Sequence, residues 1–235
     1  MIIFCDFDGP IVDVSDRYYA TYKMGLEETK EFYQTEGISL YINMLTKEQF
    51  WYMKQERIAD TEIAMRSGLR GDQIEYFLGR VTEIVNEPFL LVKDHIQPGI
   101  NWALGLLHSQ GVKLVLVTLR QETQVKQILL NYGLYRLFSD IYGSDNLTDA
   151  YENSSLAKTA LLKEAIAKYP DDNSWMIGDT EADIIAGDKM GINTIALTCG
   201  IRSKSYLKRF RPTEIQADLL SATHYLLRIN QRCKL

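Results

Sequence analysis

Two aspartates near the amino terminus have the spacing of paired catalytic carboxylates. Asp6 and Asp8 follow the apolar run of residues 2–5 and precede Gly9. Residues two positions apart at the end of a strand project to the same side, so we expect both carboxylates to face one spot. Carboxylates this close repel each other unless a cation or a shared proton lies between them. Asp-Gly is also a strong hairpin signal, but no partner strand is evident after Gly9.

A second acidic pair lies far along the chain. Asp179 follows Gly178 at the end of the apolar run 175–177, and Asp183 stands one helical turn later. Acidic residues in a first helical turn are also ordinary partners of the helix dipole. A Gly-Asp turn at the end of a strand, however, would point to the same sheet edge as the first pair.

A hydroxyl and an ammonium could bind an anion at that edge. Thr118 ends the apolar run 112–117, and a hydroxyl at the carboxyl end of a parallel strand can bind an anion together with backbone N–H groups. Lys158 lies in the helical pattern before the run 175–177, from which its ammonium could reach the same edge. An ordinary helix-start threonine and a solvated lysine are the alternatives, and Lys163 is a rival to Lys158.

The elements that must position these groups are short apolar runs separated by helical patterns. Continuous apolar runs of this length indicate strands buried on both faces of a parallel sheet. Strands that alternate with helices predict right-handed βαβ units, and therefore an α/β core with a Rossmann-like, doubly wound parallel sheet. The predicted strands cover residues 2–5, 112–117, 140–142, 175–177 and 194–197.

Residues 14–95 have a different character, with helical periodicity and no convincing buried strand. A compact domain does not carry a connection that long without structure of its own. We therefore predict an all-helical cap domain over residues 14–95, inserted after the first strand of an α/β core domain formed by residues 1–13 and 96–235.

Two helix starts are predicted inside the insert. Thr46 and Gln49 fit a capping box, and the helix that they begin should run to about Ser67. Asp72 is predicted to cap another helix, which should run through Ile84.

Composition narrows the classes of protein that fit. The chain has 235 residues, 46% of them hydrophobic and 24% charged, with a net charge of −5. This balance favours a globular protein and gives no sign of nucleic-acid binding. No apolar run approaches the roughly 18 residues of a membrane span. The cysteines, Cys5, Cys199 and Cys233, are odd in number and far apart, which disfavours a disulfide framework or a zinc site. We expect a cytoplasmic protein with no membrane partner.

The ordered set of motifs resembles the haloacid dehalogenase-like superfamily. Its pattern is D-x-D after strand one, Thr or Ser after strand two, a Lys, and then G-D-x-x-x-D. Residues 178–183, the segment 198–203 and Pro212 resemble the phosphoglycolate-phosphatase-like members, and the helical insert resembles their C1-type cap.

The resemblance implies a phosphatase mechanism. Asp6 would be the nucleophile that becomes an aspartyl-phosphate, and Asp8 would protonate the leaving oxygen and later deprotonate the attacking water. Thr118 and Lys158 would hold the phosphoryl oxygens. The substrate implied is a small phosphorylated metabolite, and the protein would be a monomer or homodimer.

The resemblance also implies a cofactor and further contacts. Mg²⁺ would be held by Asp6, by the backbone carbonyl of Asp8 and by Asp179. Asp183 would bind the ion through a water molecule or would contact the residues that bind it directly. The predicted substrate-binding residues are Gly9, Arg120 near Thr118, and Arg66 and Arg70 in a cap loop.

Two alternatives remain open. A phosphomutase resembling β-phosphoglucomutase would share the whole constellation. A non-catalytic regulator could keep the phosphate pocket for binding, and Pro10 favours it, because such phosphatases usually have Thr or a small residue there. Proline fixes φ and lacks an N–H, which would stiffen the turn beside Asp8.

Overall fold

The computed structural model describes residues 1–232, so Cys233 lies outside the described residues. The chain divides into two compact units, one formed by Met1–Asp13 with Ile96–Leu235 and the other by Val14–His95. None of the described helices is long and apolar enough to cross a bilayer.

The first unit is built on a six-stranded sheet with the order β5-β4-β1-β6-β7-β8, in which every pairing is parallel. The predicted parallel α/β core is confirmed, and all five predicted strands are present. The strands of the chain are β1 (Ile2–Cys5), β2 (Val12–Asp13), β3 (His95–Ile96), β4 (Lys113–Val117), β5 (Asp140–Tyr142), β6 (Ser174–Gly178), β7 (Asn193–Leu197) and β8 (Glu214–Gln216).

Helices follow most of the strands of this unit, and short 3₁₀ turns occur at Tyr135–Leu137 and Lys208–Phe210. One hydrophobic cluster joins Phe4, Val115 and Met176 from three neighbouring strands to Leu162 from a helix. The helices of the unit are α6 (Ile100–Ser109), α7 (Glu122–Asn131), α8 (Leu147–Glu152), α9 (Ser155–Lys168), α10 (Glu181–Lys189), α11 (Lys204–Leu207) and α12 (Leu219–Arg232).

The register of the central strands determines where the site forms. Cys5, the last residue of β1, pairs with Leu116 of β4 on one side and with Ile177 of β6 on the other. The three strands therefore end at nearly the same level. Side chains that follow them meet at the carboxyl edge of the sheet, where open α/β sheets bind their ligands.

The second unit is helical. Its core packs aromatic rings, with the ring of Tyr22 stacked on Phe50 at 4.8 Å and edge-on to Phe77 at 6.2 Å. Nε of the buried Arg17 lies 2.9 Å from Oδ1 of Asp94, which joins the start of this unit to its end. The helices are α1 (Ser15–Thr35), α2 (Lys47–Gln55), α3 (Asp60–Arg66), α4 (Asp72–Ile84) and α5 (Pro88–Leu91).

Two details of the predicted cap helices are wrong. The capping box at Thr46 is present, but its helix ends at Gln55 instead of near Ser67. Arg57 has a φ of 57°, and a residue in the left-handed region interrupts a helix. Asp72 is the first residue of α4 and makes no side-chain cap; the residue before it, Gly71, occupies the cap position.

Candidate active site

Asp6 stands directly after β1 and is buried, with 6% of its surface exposed. Its N–H donates to the carbonyl of Ile177 at 2.8 Å, which extends the β1–β6 ladder by one residue. Its Oδ1 accepts a hydrogen bond from the N–H of Phe7 at 2.7 Å. The carboxylate is therefore held by its own backbone at the edge of the sheet.

The acidic residues that follow β1 and β6 lie close together, as predicted from their positions after these two strands. One carboxylate oxygen from each of Asp6, Asp179 and Asp183 lies within 4.8 Å of the others, and all three residues are buried. Burial raises the pKa of Asp6 to about 7, against the opposing effect of Lys158. Burial, together with Asp6 and Asp183, raises the pKa of Asp179 well above its usual range.

Lys158 supplies the positive charge of this cluster. From α9 its Nζ lies 2.9 Å from Oδ2 of Asp6 and 2.9 Å from Oδ1 of Asp183, and it donates to the carbonyl of Val117 at 3.1 Å. Burial opposes the charged form, but Asp183 and Asp6 outweigh it and raise the pKa of Lys158. Lys163, the rival in the sequence, is exposed to solvent.

Asp183 is oriented by the start of its own helix. Its Oδ2 accepts hydrogen bonds from the N–H of Thr180 at 3.1 Å and from the hydroxyl of Thr180 at 2.8 Å. Sequence reasoning did not assign a role to Thr180. The Thr-x-x-Asp spacing of a capping box is the signal that could have found it.

Thr118 and Arg120 follow β4 at the same edge. Thr118 is 1% exposed, and its Oγ1 accepts a hydrogen bond from the N–H of Arg120 at 3.2 Å. Nη1 of Arg120 donates to Oδ1 of Asp8 at 2.9 Å. The first motif therefore has two different cations beside it, Lys158 at Asp6 and Arg120 at Asp8.

Glycines are required where the motifs approach one another. Gly9 has a φ of +90°, and a Cβ built on it would lie 2.2 Å from Cγ of Asp179. A Cβ on Gly200 would lie 1.9 Å from Oδ2 of the same carboxylate. No side chain fits at those distances, so the backbone itself forms the wall around Asp179.

Gln97 is a buried residue beside the first motif that sequence reasoning missed. Its Nε2 donates to the carbonyl of Gly9 at 2.9 Å and to that of Cys199 at 3.4 Å. Its N–H donates to the carbonyl of Ile11 at 2.9 Å. Gln97 thus ties the turn after Asp8 to the loop after β7. A glutamine before Pro-Gly carries no signal that sequence patterns could identify.

The predicted substrate-binding arginines of the helical unit have local partners. Nε of Arg66 pairs with Oε1 of Glu62 at 2.8 Å, one helical turn earlier. Nη1 of Arg70 donates to the carbonyls of Met65 and Leu69 at 2.8 and 2.7 Å. Their part in substrate binding stays a prediction.

The acidic cluster could hold a divalent cation. Oδ1 of Asp179 is buried and has no hydrogen-bond partner among the described residues. Buried carboxylate oxygens are costly unless they are paired, and Mg²⁺ prefers one or two carboxylates with waters. Ionised Asp6, Asp179 and Asp183 would carry three negative charges against the one positive charge of Lys158. A divalent cation balances that excess, so these residues fit Mg²⁺.

Comparisons with known proteins identify the family of this chain. A family model described as "Haloacid dehalogenase-like hydrolase" matches residues 2–197. That match covers most of the sequence, and the chain belongs to this family. The predicted membership is confirmed.

Individual relatives align with about half of the chain or with nearly all of it. A phosphoglycolate phosphatase of Psychrobacter arcticus is 30% identical over 131 residues, which cover 56% of this chain and 56% of that protein. A phosphoglycolate phosphatase of Aliivibrio fischeri is 31% identical over 46% of each chain. The chain thus spans about half the length of these two curated relatives. A crystal structure of a predicted phosphatase from Clostridium acetobutylicum has the same fold, with a TM-score of 0.68 and 20% identity, covering 97% of this chain and 98% of that one.

Proposed function

We propose that the protein is a Mg²⁺-dependent phosphatase that hydrolyses a small phosphorylated metabolite through an aspartyl-phosphate intermediate. The observation that carries this proposal is the position of Asp6. Its carboxylate is buried at the carboxyl edge of the sheet, 2.9 Å from Lys158 and clustered with Asp179 and Asp183. The names of the curated relatives, phosphoglycolate phosphatase among them, support the same reaction class.

In the first step a carboxylate oxygen of Asp6 forms a bond to phosphorus. The ester P–O bond breaks, and its electron pair stays on the leaving oxygen, which takes a proton from the carboxyl group of Asp8. Asp8 is suited to this exchange because its side chain is 21% exposed, whereas that of Asp6 is 9% exposed. A covalent intermediate divides a difficult displacement into two easier ones.

In the second step Asp8, now a carboxylate, takes a proton from a water molecule. The water oxygen forms a bond to phosphorus as the bond to Asp6 breaks, which releases inorganic phosphate and the free carboxylate of Asp6. Exchanging the roles of acid and base at one carboxyl group returns the enzyme to its starting state.

Lys158 and Thr118 would hold the phosphoryl group in both steps. The ammonium of Lys158 neutralises charge on the equatorial oxygens and, against the effect of burial, favours the ionised form of Asp6. The hydroxyl of Thr118 already accepts from the N–H of Arg120, so its proton is available for a phosphoryl oxygen. Charge neutralisation by fixed groups is the main source of catalysis in phosphoryl transfer.

Asp6, Asp179 and the backbone carbonyl of Asp8 would hold Mg²⁺, with Asp183 behind them. When bound, the ion supplies charge stabilisation for the phosphoryl oxygens and offsets repulsion among the buried carboxylates. The chain's own contribution is the fixed acidic cluster, in which a side chain at position 9 or 200 would collide with Asp179.

Turnover of p-nitrophenyl phosphate with and without Mg²⁺ tests this function directly. We expect hydrolysis that stops with EDTA and returns with added Mg²⁺. Acid-quenched enzyme should carry one added phosphoryl group on the peptide that contains Asp6. A panel of phosphorylated metabolites would then identify the substrate. Full activity in metal-free protein, or a phosphoryl group elsewhere, would contradict the proposal.

A further inference from the structure

Arg120 is a buried arginine whose side chain contacts Asp8. It follows β4 by three positions, and its side chain is 2% exposed. Nη1 of Arg120 donates to Oδ1 of Asp8 at 2.9 Å. A charge-assisted hydrogen bond of this kind is shorter and stronger than one between neutral groups.

Both the side chain and the backbone of Arg120 are fixed by contacts. Its Nε donates to Oε1 of Gln124 on α7 at 3.2 Å, and its Cζ lies 5.6 Å from the centroid of the buried Phe7 ring. Its backbone N–H donates to Thr118, and its carbonyl accepts from the N–H of Ser144 at 3.2 Å. A guanidinium fixed in this way directs its donors along fixed lines.

Each aspartate of the first motif therefore has a different cation in contact with it. Asp6 is held by Lys158 and the N–H of Phe7, whereas Arg120 contacts Asp8. Because a different cation contacts each carboxylate, Asp6 and Asp8 can have different catalytic roles although they are only two positions apart.

We propose that Arg120 is a positioning residue that orients the carboxyl group of Asp8 toward the leaving oxygen. This inference rests on the proposed function and departs from the predicted role of Arg120 as a substrate contact. It assigns the phosphoryl oxygens to Lys158 and Thr118 and leaves Arg120 to act through Asp8.

If Arg120 orients Asp8, the loss of rate on replacing Arg120 depends on the leaving group. If Arg120 binds the phosphoryl group instead, the loss is the same for all leaving groups. A poor leaving group such as phenol needs the proton from Asp8 as the P–O bond breaks. A good leaving group such as 2,4-dinitrophenol departs without it. Loss of Asp8 orientation should therefore slow phenyl phosphate far more than 2,4-dinitrophenyl phosphate, because general acid catalysis contributes about 10²–10⁴-fold where it is needed.

The experiment compares kcat/KM for substituted phenyl phosphates, since kcat/KM reports the step that expels the leaving group. The variants are Arg120→Met and Arg120→Lys, with Asp8→Asn as the reference profile. Arg136, an exposed arginine of the same unit, gives the matched control Arg136→Met. We expect Arg120→Met to lose about 10²-fold on phenyl phosphate and less than about 3-fold on 2,4-dinitrophenyl phosphate. Arg120→Lys should recover part of the loss, and Arg136→Met should match wild type.

Other outcomes would overturn the inference. Equal losses on all substrates, with weaker inhibition by inorganic phosphate, would make Arg120 a phosphate ligand. An unchanged profile would remove it from the reaction. Should Arg120→Met fail to fold, Gln124→Ala loosens the same guanidinium and must steepen the profile in the same direction. Wild-type protein without any turnover would instead refute the proposed function, and the inference with it.

Discussion

The N–H of Ile201 donates a hydrogen bond to Oδ2 of Asp179 at 2.6 Å, whereas Oδ1 of the same carboxylate has no hydrogen-bond partner within residues 1–232. The loop after β7 thus orients a buried carboxylate that belongs to the acidic cluster. An unsatisfied buried oxygen destabilises a protein that has no use for it. A cation bound to Oδ1 of Asp179 would remove this cost.

Asp179→Asn should stabilise the metal-free protein, because it removes a buried charge beside Asp6 and Asp183. We expect a gain of about 1–3 kcal/mol in the free energy of unfolding, because the neutral amide no longer repels those carboxylates and its NH₂ group can donate to a charged oxygen. Urea denaturation at pH 8 in EDTA measures it. Asp188→Asn, at an exposed position on α10, is the control and should change stability by less than about 0.5 kcal/mol. A less stable Asp179→Asn protein would show that the carboxylate has a structural partner.

Stability without metal should fall as the pH rises toward 7. Burial raises the pKa of Asp6 from 3.8 to about 7, so between these values the folded protein holds a proton that the unfolded chain has lost. Asp6 therefore contributes stability at low pH that is lost as the pH rises through this window.

Mg²⁺ should reverse that trend, because it binds the deprotonated carboxylates. We expect the rise in melting temperature on adding MgCl₂ to grow between pH 5.5 and pH 8. In the Asp6→Asn variant the rise in melting temperature on adding MgCl₂ should be small at every pH. A metal-induced shift of constant size would argue that Asp6 does not titrate with metal binding.

Asp6→Asn should abolish turnover and preserve the fold, because asparagine has the shape of aspartate and lacks its nucleophilic charge. Activity on p-nitrophenyl phosphate and circular dichroism measure the two effects. A variant that keeps more than about a tenth of the wild-type kcat has lost less than about 1.4 kcal/mol of barrier stabilisation. Such a small loss would be inconsistent with a nucleophile.

Residues of the helical unit should govern substrate choice without affecting the chemistry. Replacing Arg66 and Arg70 by alanine should leave kcat/KM for p-nitrophenyl phosphate nearly unchanged. For the preferred metabolite the same change should cost about 1–3 kcal/mol, the value of a charge-assisted hydrogen bond. Lys158→Met should depress both substrates together, because both share the phosphoryl group. Matching profiles for the arginine and lysine variants would exclude the helical unit as the selector.

The acidic edge was predictable from local signals. The buried runs of β1 and β6 end directly at Asp6 and at Asp179, and parallel strands of one sheet bring their carboxyl ends together. Apolar runs and turn residues are properties of short segments, so they can be read without knowing the rest of the fold. The break at Arg57 was missed because the periodicity continues across it, and β8 was missed because its residues are only half-buried.

The sequence alone determined the alternation of strands and helices and predicted the helical insert and the roles of the motif residues, because these depend on side-chain type and short-range spacing. Only the tertiary structure decided which cation pairs with which carboxylate: Lys158 with Asp6 and Asp183, and Arg120 with Asp8. Those contacts depend on the register of β1 against β4 and β6 and on the packing of α9 against β4. They join residues far apart in the chain, and no local pattern encodes the distance between them.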